Sequence, residues 1–253
     1  MKFGGTSVGS PQRMKNVVEL IADGEQNLVV LSAMSGTTNS LLEIADYLYK
    51  QNQEGANTCI NKLEDKYKAH IDELYSTDDY KHQTNLIVQK VFNQIRLQAK
   101  GVFTEKEEKI IVAQGEILST NMVTNYLLEQ GHNAVLLPAL EFMRTNEDGE
   151  PDLKYIQEHL LKQLAVHPGK DIYITQGFIC LNAAGEVDNL LRGGSDYTAS
   201  LVGGALSASE IQIWTDIDGM HNNDPRFVDN TTPVSHLHFD EAAELAYFGA
   251  KIL

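Results

Sequence analysis

The chain opens with MKFGGTSVG at residues 1–9, where a lysine precedes two adjacent glycines and two hydroxyl side chains. Because glycine has no Cβ, Gly4 and Gly5 allow the backbone to approach a ligand and to turn its N–H groups toward one point. Such a turn ahead of a helix binds anions, and Lys2 adds a positive charge. The stretch predicts a phosphate-binding turn. The alternative is a surface turn after a strand, and we expect that a few strand residues before Met1 are missing or very short.

Composition limits the classes of partner. The 253 residues suffice for one large α/β domain or two small ones, and a hydrophobic fraction of 42% is typical of globular proteins. The formal net charge of −15 argues against nucleic-acid and anionic-membrane partners, which bind basic patches. Cys59 and Cys180 are too few and too far apart for a disulfide framework or a zinc site. With no apolar run long enough for a signal or a membrane span, we expect a cytoplasmic protein.

Strand and helix patterns alternate along most of the chain. Strands are predicted at 28–31, 134–137, 171–175 and 211–214, with a hairpin over 178–190. Helices are predicted at 11–23, from about 40, and at 110–130, 156–164, 196–206 and 240–248. Residues 41–109 carry only helical periodicity, which predicts a helical insertion with a polar break near 76–79. The alternation predicts an α/β fold, a three-layer αβα sandwich around a mostly parallel sheet.

Polar loops follow several predicted strands. Residues 32–39 form a small, hydroxyl-rich loop, at the kind of strand end where ligands bind in open α/β sheets. Residues 192–196 combine an arginine, two glycines and a Ser-Asp pair before a helix. This pattern suits bidentate recognition of a carboxylate or phosphate. A capped helix with a solvated Arg192 is the alternative.

A third polar stretch, residues 214–226, follows the last predicted strand. Thr215 and Asp216 stand where a nucleotide or its magnesium could be met, although Asp218-Gly219 and Asp224-Pro225 are also ordinary turn pairs. The sequence contains neither the G-x-x-x-x-G-K-[ST] phosphate loop nor a G-x-G-x-x-G motif, so ATP binding would need another fold. The histidines show no metal-binding spacing, and we predict no metal site made by protein side chains.

Seven motifs occur in one order along the chain: KFGGTSV (2–8), the 31–39 loop, QGE (114–116), TQGF (175–178), RGGSDYTA (192–199), WTD (214–216) with Gly219 and DPR (224–226), and FGAK (248–251). This ordered set resembles the aspartate kinase branch of the amino-acid kinase family. Each motif is weak alone, whereas the combination is specific. The resemblance covers the whole chain and is loosest between 41 and 109.

The resemblance implies that MgATP phosphorylates the β-carboxylate of L-aspartate to 4-phospho-L-aspartate, the entry step to lysine, threonine and methionine. It implies a carbamate kinase-like catalytic domain over residues 1–253, as the N-terminal part of a longer enzyme whose ACT regulatory domains are absent. A homo-oligomer is implied for the full-length enzyme. Magnesium is expected to be held mainly by phosphate oxygens and water. Another amino-acid kinase, acting on glutamate, acetylglutamate or uridylate, is one alternative, and a non-catalytic nucleotide-binding module is the other.

By family likeness, the catalytic residues are Lys2, Gly5 and Asp196. The residues implied for L-aspartate are Ser32, Thr38, Glu116, Arg192, Gly193, Gly194 and Ser195, with Glu116 meeting the ammonium group and Arg192 a carboxylate. The residues implied for ATP are Lys2, Phe3, Gly4, Gly5, Thr215, Asp216, His221, Arg226 and Lys251. Two positions depart from the family pattern: His221 stands where a tyrosine is usual, and Leu191 where a glycine is common. Neither change removes a charge that the reaction requires.

Overall fold

Seven strands and eight α-helices lie within the described residues, which are 1–190, 193–216, 219–224 and 227–247 of a computed structural model. The strands are β1 (Lys2–Phe3), β2 (Asn27–Leu31), β3 (Ala134–Leu137), β4 (Ile172–Gln176), β5 (Ile179–Leu181), β6 (Val187–Asn189) and β7 (Ile213–Trp214). The helices are α1 (Pro11–Ile21), α2 (Thr37–Tyr49), α3 (Gln53–Leu74), α4 (Asp78–Gln98), α5 (Glu105–Glu129), α6 (Leu153–Val166), α7 (Gly194–Ala205) and α8 (Phe239–Tyr247). The chain divides into two compact units, Met1–Trp214 and Thr215–Leu253.

The first unit is built on a parallel sheet with the strand order β3-β4-β2-β1-β7. On one face α5 contacts β2, β3 and β4, and on the other α7 contacts β1 and β2 while α6 packs on α7. This arrangement confirms the predicted three-layer α/β fold. Because all five strands run in the same direction, the loops after β1, β2 and β4 emerge at one edge of the sheet.

Side chains of β4 alternate between two core clusters. Ile172 and Ile174 belong to a large cluster shared with α1 to α5, whereas Tyr173 belongs to a smaller cluster on the other face of the sheet. The apolar run in β2 divides in the same way, with Val29 and Leu31 in the large cluster. Burial on both faces explains why these strands are continuously apolar rather than alternating.

Helices α2, α3 and α4 account for the region in which only helical periodicity was predicted. The residues spaced along α3, Leu63, Tyr67 and Ile71, are buried, which confirms that they belong to the core. Their side chains join the large cluster beneath the sheet. The helical segment and the sheet therefore share one core.

Helix boundaries differ from the sequence predictions by a few residues. The largest difference is at α5, which begins at Glu105 rather than at Ile110. Thr104 and Glu107 form a capping box there. The Glu107 carboxylate accepts a hydrogen bond from the backbone N–H of Thr104, and the Thr104 hydroxyl accepts one from a backbone N–H of the first helical turn. This cap satisfies N–H groups that have no partner inside the helix, so the polar first turn is helical although it lacks apolar periodicity.

The second unit contains α8 and a loop whose backbone hydrogen bonds include Asn222 N to Thr232 O (3.1 Å) and Val234 N to Met220 O (2.7 Å). Helix α8 begins at Phe239, one residue earlier than predicted from the sequence. Across the described parts of both units, no helix combines the length and apolar character needed to cross a membrane.

Gly115 lies where α5 touches the loop after β2. A Cβ added there would lie 2.8 Å from Ala33 Cβ and 3.3 Å from both Leu41 Cδ1 and Thr37 Cγ2. We expect Gly115→Ala to destabilise the protein by about 1–3 kcal/mol, because the short Ala33 side chain cannot move aside. Gly204 in α7 is the matched control, since a Cβ there meets nothing within 4 Å. Gly204→Ala should raise the free energy of unfolding, by at most about 1 kcal/mol. Urea unfolding measures both, and a stabilising Gly115→Ala would contradict the packing argument.

Candidate functional site

A cleft of about 380 Å³ opens at the carboxyl edge of the sheet, within the first unit. The predicted site residues that line it are Lys2, Gly5, Ser32, Thr38, Glu116, Gly193, Gly194, Ser195 and Asp196. Larger hollows lie at the amino edge of the sheet, about 470 Å³, and between α3 and α4, about 680 Å³. Neither hollow contains any of these residues, so we assign the functional site to the smaller cleft.

The cleft holds an ion pair between the two ends of the first unit. Lys2 Nζ lies 2.7 Å from Asp196 Oδ1, and the side chains are 11% and 21% exposed. This oxygen has no well-directed hydrogen-bond partner, so the contact is an ion pair rather than a shared hydrogen bond. A Cβ on Gly4 would lie 3.5 Å from the same Nζ, which shows that the ammonium group folds back over the glycine turn.

Gly5 allows the turn after β1 to press against the loop after β2. A Cβ at this position would lie 2.6 Å from the carbonyl oxygen of Ala33, too close for any other residue without backbone movement. Ser35 N donates to Gly5 O at 3.0 Å and holds the two segments together. Phe3, by contrast, is buried and stacks on Trp214 of β7 with ring centroids 5.6 Å apart, so its side chain lies in the core. Only its backbone can face a ligand.

The start of α7 corrects one sequence prediction. Ser195 and Asp196 were expected to cap a helix beginning at Asp196, but α7 begins at Gly194 and its N-cap is Gly193, with φ +79°. Only glycine adopts that left-handed conformation without strain. Asp196 therefore lies in the first turn, where the helix dipole stabilises a carboxylate.

Two serines join the walls of the cleft. Ser32 Oγ donates to Ser195 Oγ at 2.9 Å, which links the end of β2 to the start of α7. Ser119 Oγ on α5 donates to the carbonyl oxygen of Ser32 at 2.8 Å. Three elements that are far apart in sequence thus meet at Ser32.

Glu116 is the buried acid of the cleft. Its Oε1 accepts a hydrogen bond from Ala33 N at 3.1 Å, while Oε2 is buried and has no hydrogen-bond partner in the structure. Burial raises the pKa of Glu116 to about 7, and the hydrogen bond from Ala33 only partly opposes this shift. A buried acceptor without a partner is a place for a cationic donor from a ligand.

Other predicted residues belong to the second unit or lie outside the described residues. Thr215, Asp216 and His221 belong to the second unit. There Thr215 Oγ1 donates to Asp216 Oδ1 at 3.4 Å, and His221 Nδ1 lies 2.9 Å from Thr231 Oγ1. The predictions for Arg192, Arg226 and Lys251 concern positions outside the described residues.

Sequence reasoning assigned no role to Phe178 and Asn39, which also line the cleft. Phe178 has φ +69°, unusual for a residue with a side chain, and its N–H donates to Thr198 Oγ1 at 3.0 Å. Its place directly after a glycine at the end of a buried strand was the available signal. Asn39 was predicted to be the last residue of the hydroxyl-rich loop. It lies instead in the first turn of α2, which begins at Thr37.

The arrangement is complementary to a small zwitterion. Lys2 and the N-terminus of α7 favour negative charge on one wall, and the partnerless oxygen of Glu116 favours positive charge on another. Serine hydroxyls lie between them. An amino acid with an additional anionic group would match all three features.

Comparison with known proteins shows the family of the chain. The sequence profile of the amino acid kinase family matches residues 1–253. The chain belongs to the amino acid kinase family. All of this kinase-family chain aligns with 56% of the lysine-sensitive aspartokinase 3 of Escherichia coli (strain K12), at 33% identity over 256 residues. It also aligns in full with 46% of the chloroplastic aspartokinase 1 of Arabidopsis thaliana, at 35% identity over 268 residues.

A solved structure extends the likeness to three dimensions. E. coli aspartokinase III in complex with aspartate and ADP matches this chain with a TM-score of 0.88 and 32% identity, over 100% of this chain and 56% of that one. The resemblance to aspartate kinases predicted from the ordered motifs is confirmed. The chain spans about half the length of the curated relatives it matches.

Glu116 should make the stability of this protein depend on pH. Its raised pKa means that the folded state binds the proton more tightly than the unfolded chain. Stability is therefore full below the ordinary value of 4.5 and falls as the pH rises toward 7. The loss should reach about 3 kcal/mol. Glu116→Gln should remove this decline, as measured by urea unfolding between pH 5 and 8.

Glu64 provides a control of opposite sign. Burial acts to raise its pKa, but hydrogen bonds from Arg96 and Lys68 outweigh burial and lower it. Stability from Glu64 is therefore present above the ordinary carboxyl pKa and is lost on acidification. Glu64→Gln should cost stability at pH 7 and less at pH 4. A Glu116→Gln protein whose unfolding free energy follows the wild-type pH curve would show that the carboxyl is not desolvated.

Proposed function

We propose that this chain transfers the γ-phosphoryl group of ATP to the β-carboxylate of L-aspartate, giving ADP and 4-phospho-L-aspartate. The observation that carries the proposal is the meeting, in one cleft, of Lys2, the N-terminus of α7 and the partnerless Glu116 oxygen. L-Aspartate presents two carboxylates and an ammonium group to such a cleft. The whole-chain similarity to aspartokinases, one of them bound to aspartate and ADP, supports the same substrates.

The amino-acid half of the proposal uses charge complementarity. Glu116 accepts the substrate ammonium group at its free Oε2, and that cation offsets the cost of keeping the carboxylate ionised in a buried position. The hydroxyls of Ser32, Thr38 and Ser195, together with the N–H groups at Gly193 and Gly194, hold the carboxylates. Arg192 is proposed as the second carboxylate partner on sequence grounds alone.

The phosphoryl half depends on neutralising negative charge. MgATP supplies the phosphoryl group, with magnesium proposed to be held by phosphate oxygens and water. As the β-carboxylate oxygen bonds to the γ-phosphorus and the bond to the ADP oxygen breaks, Lys2 stabilises the charge on the transferring group. Asp196 holds the Lys2 ammonium group in place through the 2.7 Å ion pair, and the Gly4-Gly5 turn offers backbone N–H groups. Among described residues no cluster of His, Cys, Asp or Glu gathers as a metal site.

The nucleotide half rests on sequence. Thr215, Asp216, His221, Arg226 and Lys251 are proposed to contact ATP because they occupy matching positions in the ordered motifs. Residues 1–253 are proposed as the catalytic domain of a longer cytoplasmic enzyme, because they align with about half of each relative.

An ADP-release assay with MgATP tests the reaction. L-Aspartate should support release, because it is a short zwitterion whose ammonium group can meet the one buried acid of the cleft. L-Glutamate, N-acetylglutamate and UMP should not support release. Release with a different acceptor would refute the aspartate assignment. ATP binding without release on any acceptor would indicate a nucleotide-binding module or a need for the rest of a longer chain.

Lys2→Ala should lower kcat about 100-fold or more, because the lysine is proposed to stabilise charge that develops only in the transition state. Nucleotide binding, measured by calorimetry, should change much less. Lys50→Ala is the control, since Lys50 pairs only with the exposed Asp46 on its own helix, and it should keep wild-type turnover. Wild-type kcat in Lys2→Ala would overturn the assignment of Lys2.

A further inference from the structure

Side chains of helix α3 contact the loop after β2, which forms one wall of the cleft. The phenol oxygen of Tyr67 lies 2.9 Å from Thr37 Oγ1, and both residues are fully buried. Thr37 is the first residue of α2, immediately before Thr38 in the cleft wall. One position earlier on α3, Lys66 Nζ donates to the carbonyl oxygen of Ser35 at 3.2 Å. Two neighbouring side chains of α3 therefore fasten the loop after β2.

The same loop is held on its other side by α5. Ala33 N donates to Glu116 Oε1 at 3.1 Å, and the side chain of Thr37 lies against α5 at Gly115. The loop thus has attachments to α5 near its start and to α3 near its end. Ser35 N also donates to Gly5 O at 3.0 Å, and among these contacts the α3 bond is the one that holds the Thr37 hydroxyl, next to Thr38.

Packing gives Tyr67 little freedom to move. Its ring meets Phe92 of α4 edge-on, with centroids 6.0 Å apart, and the residue has no exposed surface. A buried hydroxyl needs a hydrogen-bond partner, and Thr37 provides it. The electrostatic field of Glu116 also reaches this phenol, as burial and then the Glu116 charge raise its pKa. Tyr67 is therefore close to the binding chemistry without lining the cleft.

We propose that Tyr67 is a positioning residue for the amino-acid substrate: by holding Thr37, it sets Thr38 and the loop after β2 in the conformation that binds L-aspartate. The substrate named here rests on the proposed function. The positioning itself is a statement about the ligand-free protein and can be tested without turnover.

Tyr75 is a matched control at the end of the same helix. Its buried phenol donates to the carbonyl oxygen of Met122 at 2.7 Å, and its ring meets Tyr126 edge-on. Met122 lies on α5 about 9 Å beyond Glu116 along the helix axis. Tyr75→Phe and Tyr67→Phe each remove a buried phenol hydroxyl that is hydrogen-bonded, but only Tyr67→Phe removes a bond to the loop after β2.

Steady-state kinetics separates positioning from general destabilisation. Both variants should melt at a lower temperature than the wild type. Only Tyr67→Phe should raise the KM for L-aspartate, by about fivefold, which corresponds to one hydrogen bond. Its kcat and its KM for ATP should stay within twofold of the wild-type values. Equal increases in KM for both variants, or no increase in Tyr67→Phe, would overturn the proposal.

Amide hydrogen exchange on the ligand-free protein supplies the second readout. Tyr67→Phe should speed exchange at residues 33–38, and Tyr75→Phe should not. Thr37→Val should reproduce the effect, and combining it with Tyr67→Phe should add little, because both remove the same bond. Unchanged exchange in Tyr67→Phe would refute positioning. If Tyr67→Phe speeds exchange at residues 33–38 but the wild-type protein shows no aspartate-dependent ADP release, the proposed substrate is refuted while the positioning of the loop by Tyr67 stands.

Discussion

One buried hydrogen bond, from Ala33 N to Glu116 Oε1, joins the loop after β2 to the middle of α5. The bond leaves the second carboxylate oxygen buried without a partner. A carboxylate in that position is costly unless something positive approaches it, and the pKa raised to about 7 by burial expresses the same cost. The cleft thus surrounds a buried acceptor for which a ligand could supply the missing hydrogen-bond donor.

Helix α5 transmits this local requirement to the whole first unit. It contacts three strands of the parallel sheet, β6 of the hairpin, and helices α2 and α4, so it is buried around most of its circumference. A helix enclosed in this way cannot shift without disturbing both cores. The helical segment 37–98 therefore supports the cleft, and Lys66 and Tyr67 of α3 hold the loop after β2.

The opposite wall gathers positive charge within an acidic protein. The chain carries a net charge of −15, yet Lys2 and the first turn of α7 meet at one edge of the sheet. Local donors decide binding at this short range, whereas net charge governs long-range attraction. The Lys2–Asp196 pair also keeps the ammonium group at the glycine turn, where a phosphoryl group would arrive.

The sequence by itself determined the order of strands and helices along the chain and the mostly parallel sheet, because hydrophobic periodicity is a local property. Lys2, Glu116 and Asp196 were indicated as site residues by the resemblance of the ordered motifs to the aspartate kinase branch. Helix starts were less well predicted: apolar periodicity misses the polar first turn of α5, although Thr104 and Glu107 have the spacing of a capping box, and the left-handed Gly193 before α7 depends on backbone geometry. Only the tertiary structure decided which side chains meet, as in the pairing of Tyr67 with Thr37. The high pKa of Glu116 likewise arises from burial by elements distant in sequence, and desolvation has no signature in a linear pattern.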